Sequence, residues 1–456
     1  MHFVGGLATF AIFVAVGIYS GKKVANAADF ANASRRAGST LVVGTITGTL
    51  VGGASTIGTA QLAFTYGLSA WWFTLGAGIA CLILGVAFTR PLRESEGDTI
   101  EQMISKEYGT SAGVITSVLG TIGLLINIIA QLLSFSAIVN AFLPEHELFG
   151  FILGVGLMLC YVVFGGVLSA GILGVVKLLL LYFAVGAGGL LALQLMGGFA
   201  SIYQALPSEQ YFNLFARGFA VDAGAGFSVI LGVLSTQTYV QAILSGSSHQ
   251  EARKGALISA AIIPPVGLGA ILVGQYMFLT QPGLNPGLAL PRFVMENFPP
   301  LLSGILLATL LITVTGTGAG LSLGFATTLT NNIYLRFTKS EKTPAKTLLV
   351  MRSLIVFALV TAFIFTRGEL RAVILTWGFL SMALRGAVLF VPLCAALFLR
   401  QRVSGSYVIA SSILGLGTVV LGQLFFTWPV DPLLMGIIVA GCTVLAGVAV
   451  RVKEKA

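Results

Sequence analysis

Carboxylates are what this chain is shortest of: sixteen Asp and Glu in 456 residues, none of them in the middle of an apolar run. Even with 25 Lys and Arg the charged share is only 9%. A soluble domain carries about 25%, so the composition is that of an integral membrane protein. Histidine is scarcer still. His2, His146 and His249 are terminal or in loops, which leaves no histidine-built metal or catalytic centre. Cys81, Cys160, Cys394 and Cys442 stand singly in apolar runs, without metal-ligand spacing and without a disulfide framework. No acid, His and Cys set converges on one span, so an intramembrane enzyme lacks its chemistry. A channel would need a charged or repeated pore ring, which is missing too. Short alternating strands are also absent, which excludes a transmembrane barrel. No organic cofactor and no obligate protein partner is expected.

The formal charge of +9 does not point to nucleic acid, because the basic residues are scattered between apolar spans. They fall at Lys22/Lys23, Arg35/Arg36, Arg90/Arg93, Arg336 to Lys346, Arg400/Arg402 and Arg451 to Lys455, in alternate loops. With the N-terminus outside, nineteen Lys and Arg lie on the inner side. Only Arg217, Arg292, Arg367 and Arg371 lie on the outer one. That is the positive-inside pattern, with the C-terminus cytoplasmic in a plasma membrane of bacterial type. The partners it implies are the lipid bilayer and a small solute.

A span needs roughly 20 apolar residues. The candidates are about 3–20, 41–66, 68–89, 112–142, 148–164, 168–196, 219–245, 255–279, 300–335, 347–366, 371–398, 405–427 and 432–450, about thirteen helices. Ala25-Asn26-Ala27 resembles a signal-peptidase site, but no basic region precedes the first apolar run, so a retained helix is expected.

What the chain has in abundance is glycine, 57 of them. Gly44, Gly48 and Gly52 recur every four residues and form one smooth face for another helix. Gly52-Gly53 and Gly58 then bracket Ala54-Ser55-Thr56-Ile57, where helix propensity fails at mid-span. Five helices later, Gly232 to Thr238 breaks the span 219–245 in the same manner. Irregular backbone at membrane depth is tolerated where it lines a cavity, and paired breaks in two opposed five-helix units mark an inverted-repeat carrier. Within 300–335, Thr313 and Thr317 share a helical face; their hydroxyls either complete an oxygen cage for a cation or bond back to their own helix.

Lys177 and Arg385 are the two charges inside spans, and such cations face the protein interior or a wet cavity. Arg385 suits an anionic substrate group, since a guanidinium forks onto a carboxylate. Lys177 carries a proton, sits neutral, or fills the space of a free cation; snorkelling or bonding to backbone carbonyls is the structural alternative for both. Gln61, Thr236 and Gln237 offer uncharged donors and acceptors beside the breaks, for substrate or for a neighbouring helix.

Gly52 to Gly58 with Gly67, Gly165-Gly166, Gln237-Thr-Tyr-Val-Gln241 followed by Ala252-Arg253-Lys254-Gly255, and Thr330 to Tyr334 together resemble the sodium:solute symporters of the sodium–proline and sodium–galactose group. The resemblance implies a sodium ion held by the carbonyls of Ala54, Ile57 and Thr313 and the hydroxyl of Thr317. The family's second hydroxyl falls on Gly316, which has none. Gln61 matches a position that contacts sugar. Lys177 stands where the family has Gln, an acid is lost nearby, and Asn332 and Ala242 replace Asp and Arg.

The expectation is an all-α membrane carrier: a leading helix (1–37), two five-helix repeats (38–197 and 198–398) and two trailing helices (399–456). It imports a small solute with a cation, sodium first, by alternating access. Its substrate residues are expected at Gln61, Thr236, Gln237, Arg385 and Lys177, and its sodium ligands at Ala54, Ile57, Thr313, Gly316 and Thr317. Proton-coupled or uncoupled exchange of an organic anion is the alternative. A membrane substrate sensor is the alternative of another class, disfavoured by the six residues after Val450.

Overall fold

The computed structural model describes residues 35–95, 97–143, 146–163, 167–338, 344–366, 373–425 and 432–455, with a few single positions before residue 12. Most of the leading span 3–20, the Ala25–Ala27 site, Lys22/Lys23, Gly165-Gly166, Arg367 and Arg371 lie outside them. Among the described residues all regular structure is helical, apart from one isolated bridge between Ala37 and Gly246. Nine described helices are long and apolar enough to cross a membrane, or ten counting the bent pair Phe219–Leu234 and Gln237–Ser245. Ser39–Leu50 and Leu148–Cys160 are apolar but shorter. The expected thirteen counted these and the leading span as well.

Both breaks occur where glycine and hydroxyl residues interrupt the apolar pattern. The first helix, Ser39–Leu50, stops as Val51 turns extended (φ −89°, ψ 93°). A wide turn over Ala54–Gly58 restarts it into Thr59–Tyr66. The small hydroxyls bond the carbonyls that the irregular turn frees: Ser55 Oγ donates to the Leu50 carbonyl at 3.0 Å, Thr56 Oγ1 to Gly52 at 2.9 Å, Thr59 Oγ1 to Ala54 at 3.1 Å. The second helix bends by 47° at Ser235 and Thr236. There Ser235 and Thr236 hydroxyls take the Leu231 and Gly232 carbonyls at 2.6 and 2.5 Å.

The two broken helices run in opposite directions. Ala37, entering the first, exchanges backbone bonds with Ser245 (3.0 Å) and Ser247 (2.8 Å), which end the second. At the far face Tyr211, ahead of the second helix, donates its hydroxyl to the Phe64 carbonyl at the end of the first (3.0 Å). This antiparallel pairing is what an inverted repeat requires of its two broken helices.

The Gly44/Gly48 face is filled by the helix Val167–Leu181. A Cβ on Gly174 would overlap the Gly44 carbonyl, so the two backbones touch with nothing between them. That close approach sets how far Lys177, one turn on, reaches into the first helix.

Among the short helices that the span pattern does not show, two bear on the site. Ile100–Tyr108 is a short helix capped by Thr99, whose hydroxyl accepts from Gln102 N at 3.1 Å; Thr99 and Gln102 have the capping-box spacing. Ala289–Asn297 is another, with apolar Leu290, Phe293 and Val294 buried on one face. Asp222, in the first turn of Phe219–Leu234, is buried and paired with Arg217 at 2.6 Å.

Candidate functional site

Polar side chains of neighbouring helices face each break. Around the first break, the orphaned Gly53 N–H donates to Gln131 Oε1 (2.9 Å) on the helix Thr110–Phe142. Gln131 in turn donates to Asn127 Oδ1 at 3.0 Å. A buried N–H without such an acceptor would cost roughly 1–3 kcal/mol, so Gln131 is what lets the helix stop here. Composition did not flag Asn127 and Gln131; two amide side chains one turn apart in the middle of a largely apolar 33-residue helix were the available signal.

One turn below lies an oxygen cage. Lys177 Nζ donates to the Gly48 carbonyl at 2.6 Å, the Thr313 carbonyl at 3.0 Å and Thr317 Oγ1 at 3.1 Å. Thr317 also lies 3.4 Å from the Gly48 carbonyl, and the Thr313 hydroxyl is buried without a partner. Thr315 follows the bland expectation and bonds its own helix at Leu311 (2.8 Å); Thr313 and Thr317 do not. Of the sodium ligands the resemblance implies, the cage contains Thr313 and Thr317, with Gly48 as its third oxygen. The Ala54 carbonyl accepts from Thr59 (3.1 Å), Ile57 is fully buried in the wide turn, and Gly316 brings no hydroxyl. These oxygens do not fit a free sodium ion while the lysine holds them, because both are cations competing for the same lone pairs.

At the second break Arg385 is 1% exposed. It donates to Thr236 Oγ1 at 2.6 Å and to the Ser381 hydroxyl and carbonyl at 2.9 and 3.2 Å. Ser381 itself reaches across to the Gly123 carbonyl at 2.6 Å. Through Thr236 directly and through Ser381 to Gly123, the guanidinium helps tie three helices together, and its forked donors are engaged within the protein.

The two glutamines are engaged as well. Gln61 Oε1 accepts from Ile374 N at 2.8 Å. Gln237 Oε1 accepts from Ile100 N at 2.9 Å, and its Nε2 donates to the Asp98 carbonyl at 2.9 Å. Each glutamine pins the start of a helix against a broken one.

A small cavity is lined by Glu101, Thr121, Leu124, Ser235, Gln237, Thr328 and Arg385. Glu101 Oε2, Thr238 Oγ1, Thr328 Oγ1, Thr330 Oγ1 and Asn332 Nδ2 are buried without partners. Glu101 lies between two spans, on the short helix outside them, and burial raises its carboxyl pKa to about 7. The folded state therefore holds this proton more tightly than the unfolded chain. Its stabilising effect is complete below the ordinary value of 4.5 and is lost as pH rises through about 7. Melting curves between pH 5 and pH 8, both arbitrary set points spanning roughly that window, should show this decline, and Glu101→Gln should flatten it. An unchanged slope in the variant would assign the decline to another group.

The sodium:solute symporter family matches residues 30–415, and the chain belongs to it. Among solved structures, a Na+-coupled sialic acid symporter in its substrate-bound outward-open state aligns with a TM-score of 0.80 at 16% identity, over 99% of this chain and 97% of that one. Mhp1, a nucleobase-cation-symport-1 family transporter closed around bromovinylhydantoin, aligns at 0.63 and 13% identity, over 95% and 97%. A manganese transporter variant from Eremococcus coleocola aligns at 0.52 and 13% identity, over 90% and 94%. No curated protein matches significantly. The protein is an all-α membrane carrier of the inverted-repeat fold. It is a secondary active transporter that couples solute import to a cation, and it is not an enzyme.

Proposed function

We propose that the solute is small and polar and binds between the two breaks, at the level of Gln131, Asn127 and Thr238. The observation that carries this reading is Thr238: its hydroxyl is buried without a partner on the second broken helix. Gly324 and Leu124 close around the same space, since a Cβ on Gly324 would lie 4.0 Å from Thr238 Oγ1 and 3.9 Å from Leu124. Unpaired buried hydroxyls are costly, and a ligand with a matching group removes the cost. Gln61, Thr236, Gln237 and Arg385 then frame the site by fixing the helices around it, and an anionic solute would have to compete for the engaged Arg385.

The face bearing Ala37 and Gly246 is assigned to the cytoplasm. Arg93 donates to the Gly246 carbonyl there (2.6 Å), and Arg451 donates to the Val403 carbonyl in the basic loop 399–404 (2.8 Å). The column from Thr238 past Thr328 and Glu101 to Thr330 and Asn332 is then the inward release path. The test is a melting screen of the purified carrier against amino acids, sugars, nucleobases and small carboxylates, followed by counterflow in proteoliposomes. A solute that stabilises should exchange, and Thr238→Val should weaken it about tenfold, the equivalent of one hydrogen bond at about 1.4 kcal/mol. Absence of any exchanging solute, or an unaffected Thr238→Val, would sink the assignment.

A further inference from the structure

We propose that the Lys177 ammonium is the resident cation of the Gly48–Thr313–Thr317 cage, a tethered substitute for free sodium. The inference rests on the carrier reading above but concerns the cage alone.

Three observations converge. First, the ammonium is 5% exposed and takes two carbonyls and one hydroxyl, the donor set expected around a hard monovalent cation at a helix break. Second, the reach is built into the fold. Gly174 and Lys177 lie one turn apart on one helix face, and Gly174 has no room for a Cβ against Gly44. Only that backbone-to-backbone contact brings the four-carbon side chain to the Gly48 carbonyl. Third, nothing nearby would balance a second positive charge. Among the described residues the buried carboxylates are Glu101, in the cavity beside Arg385, and Asp222, paired with Arg217. A free sodium ion in the same cage would sit against the ammonium with no anion between them, and mutual repulsion at that range in a poorly screened interior excludes it.

A tethered cation differs from a free one in having no dissociation step into bulk solvent. The ion whose gradient drives import is therefore not a sodium bound in this cage. Removing the tether should uncover what it fills: with Lys177→Gln the three oxygens and the unpaired Thr313 hydroxyl remain, without their cation.

The probe is sodium itself, on the purified full-length protein, with melting recorded in sodium chloride against choline chloride at equal ionic strength. The wild type should melt at the same temperature in both. Lys177→Gln should melt lower in choline and regain stability as sodium is raised, and Thr317→Ala added to it should remove the regain. A sodium-specific rise in the wild type that Thr317→Ala abolishes would overturn the proposal. So would silence in Lys177→Gln, since the vacated cage would then be no cation site. The wild-type arm stands even if the variant does not fold. Failure of the carrier reading would show instead as absent solute exchange, whatever sodium does to melting.

Discussion

Arg385→Ala should lower stability by about 3 kcal/mol, within the span of large-to-small core truncations, and Arg385→Met should recover most of that loss. The side chain is among the largest fully buried groups in the molecule, and its stem lies so close to Gly123 that a Cβ there would sit 2.5 Å from it. Truncation to Ala opens a void against the helix Thr110–Phe142 and breaks the bonds to Thr236 and Ser381. Methionine refills the volume and removes the charge, and volume-conserving swaps are the best tolerated in packed interiors. Melting of both variants in detergent gives the order. The sequence alone suggested another outcome, an arginine that forks onto an anionic solute. In that case both variants would melt like the wild type and lose only solute affinity, so the pair of measurements separates a tie between helices from a ligand contact.

Gly174→Ala should be strongly disruptive: among the described glycines, its added Cβ meets the nearest obstacle. The added carbon would fall on the Gly44 carbonyl and against the Gly48 Cα, and both obstacles are backbone, which cannot rotate aside. Overpacking typically costs about 1–3 kcal/mol, and a rigid obstacle belongs at the upper end. The helix has to withdraw, and Lys177 withdraws with it. Labelling with an amine reagent, read by mass spectrometry, should find Lys177 protected in the wild type and reactive in the variant. Protection in both, with unchanged melting, would mean that the backbone contact is looser than described.

The breaks were legible because they are local events. Gly52-Gly53 and Ser235-Thr236 lower helix propensity by their own chemistry, and no distant residue is needed to see it. Lys177 and Arg385 were legible for the same reason, as charges where charges are expensive. Their partners were not. Gly48 has no side chain to advertise a cation contact, and it entered the reading only as a packing glycine; its carbonyl became a ligand because Gly174 lets a second helix lean on it. Gln237 offered its amide to substrate or to a neighbouring helix, and nothing in its own stretch announced Ile100 and Asp98 as its partners; the helix carrying Ile100 was itself missed because it is too short and too polar to register as a span. Glu101 was counted among loop carboxylates, although the loop folds back and buries it. What failed in each case was knowledge of which distant backbone arrives beside a residue.

The glutamines have a consequence of their own. With the repeats divided as the sequence suggests, at 197 and 198, Gln61 belongs to the first half and clasps Ile374 in the second; Gln237 belongs to the second half and clasps Ile100 in the first. Neither fastening is internal to a half. Prising the halves apart on one face strains one clasp and spares the other, so the two faces are locked by separate bolts that draw on both halves. The latch on each side is thereby shared property, and a substitution beside Ile100 in one half would loosen a door hung on the other.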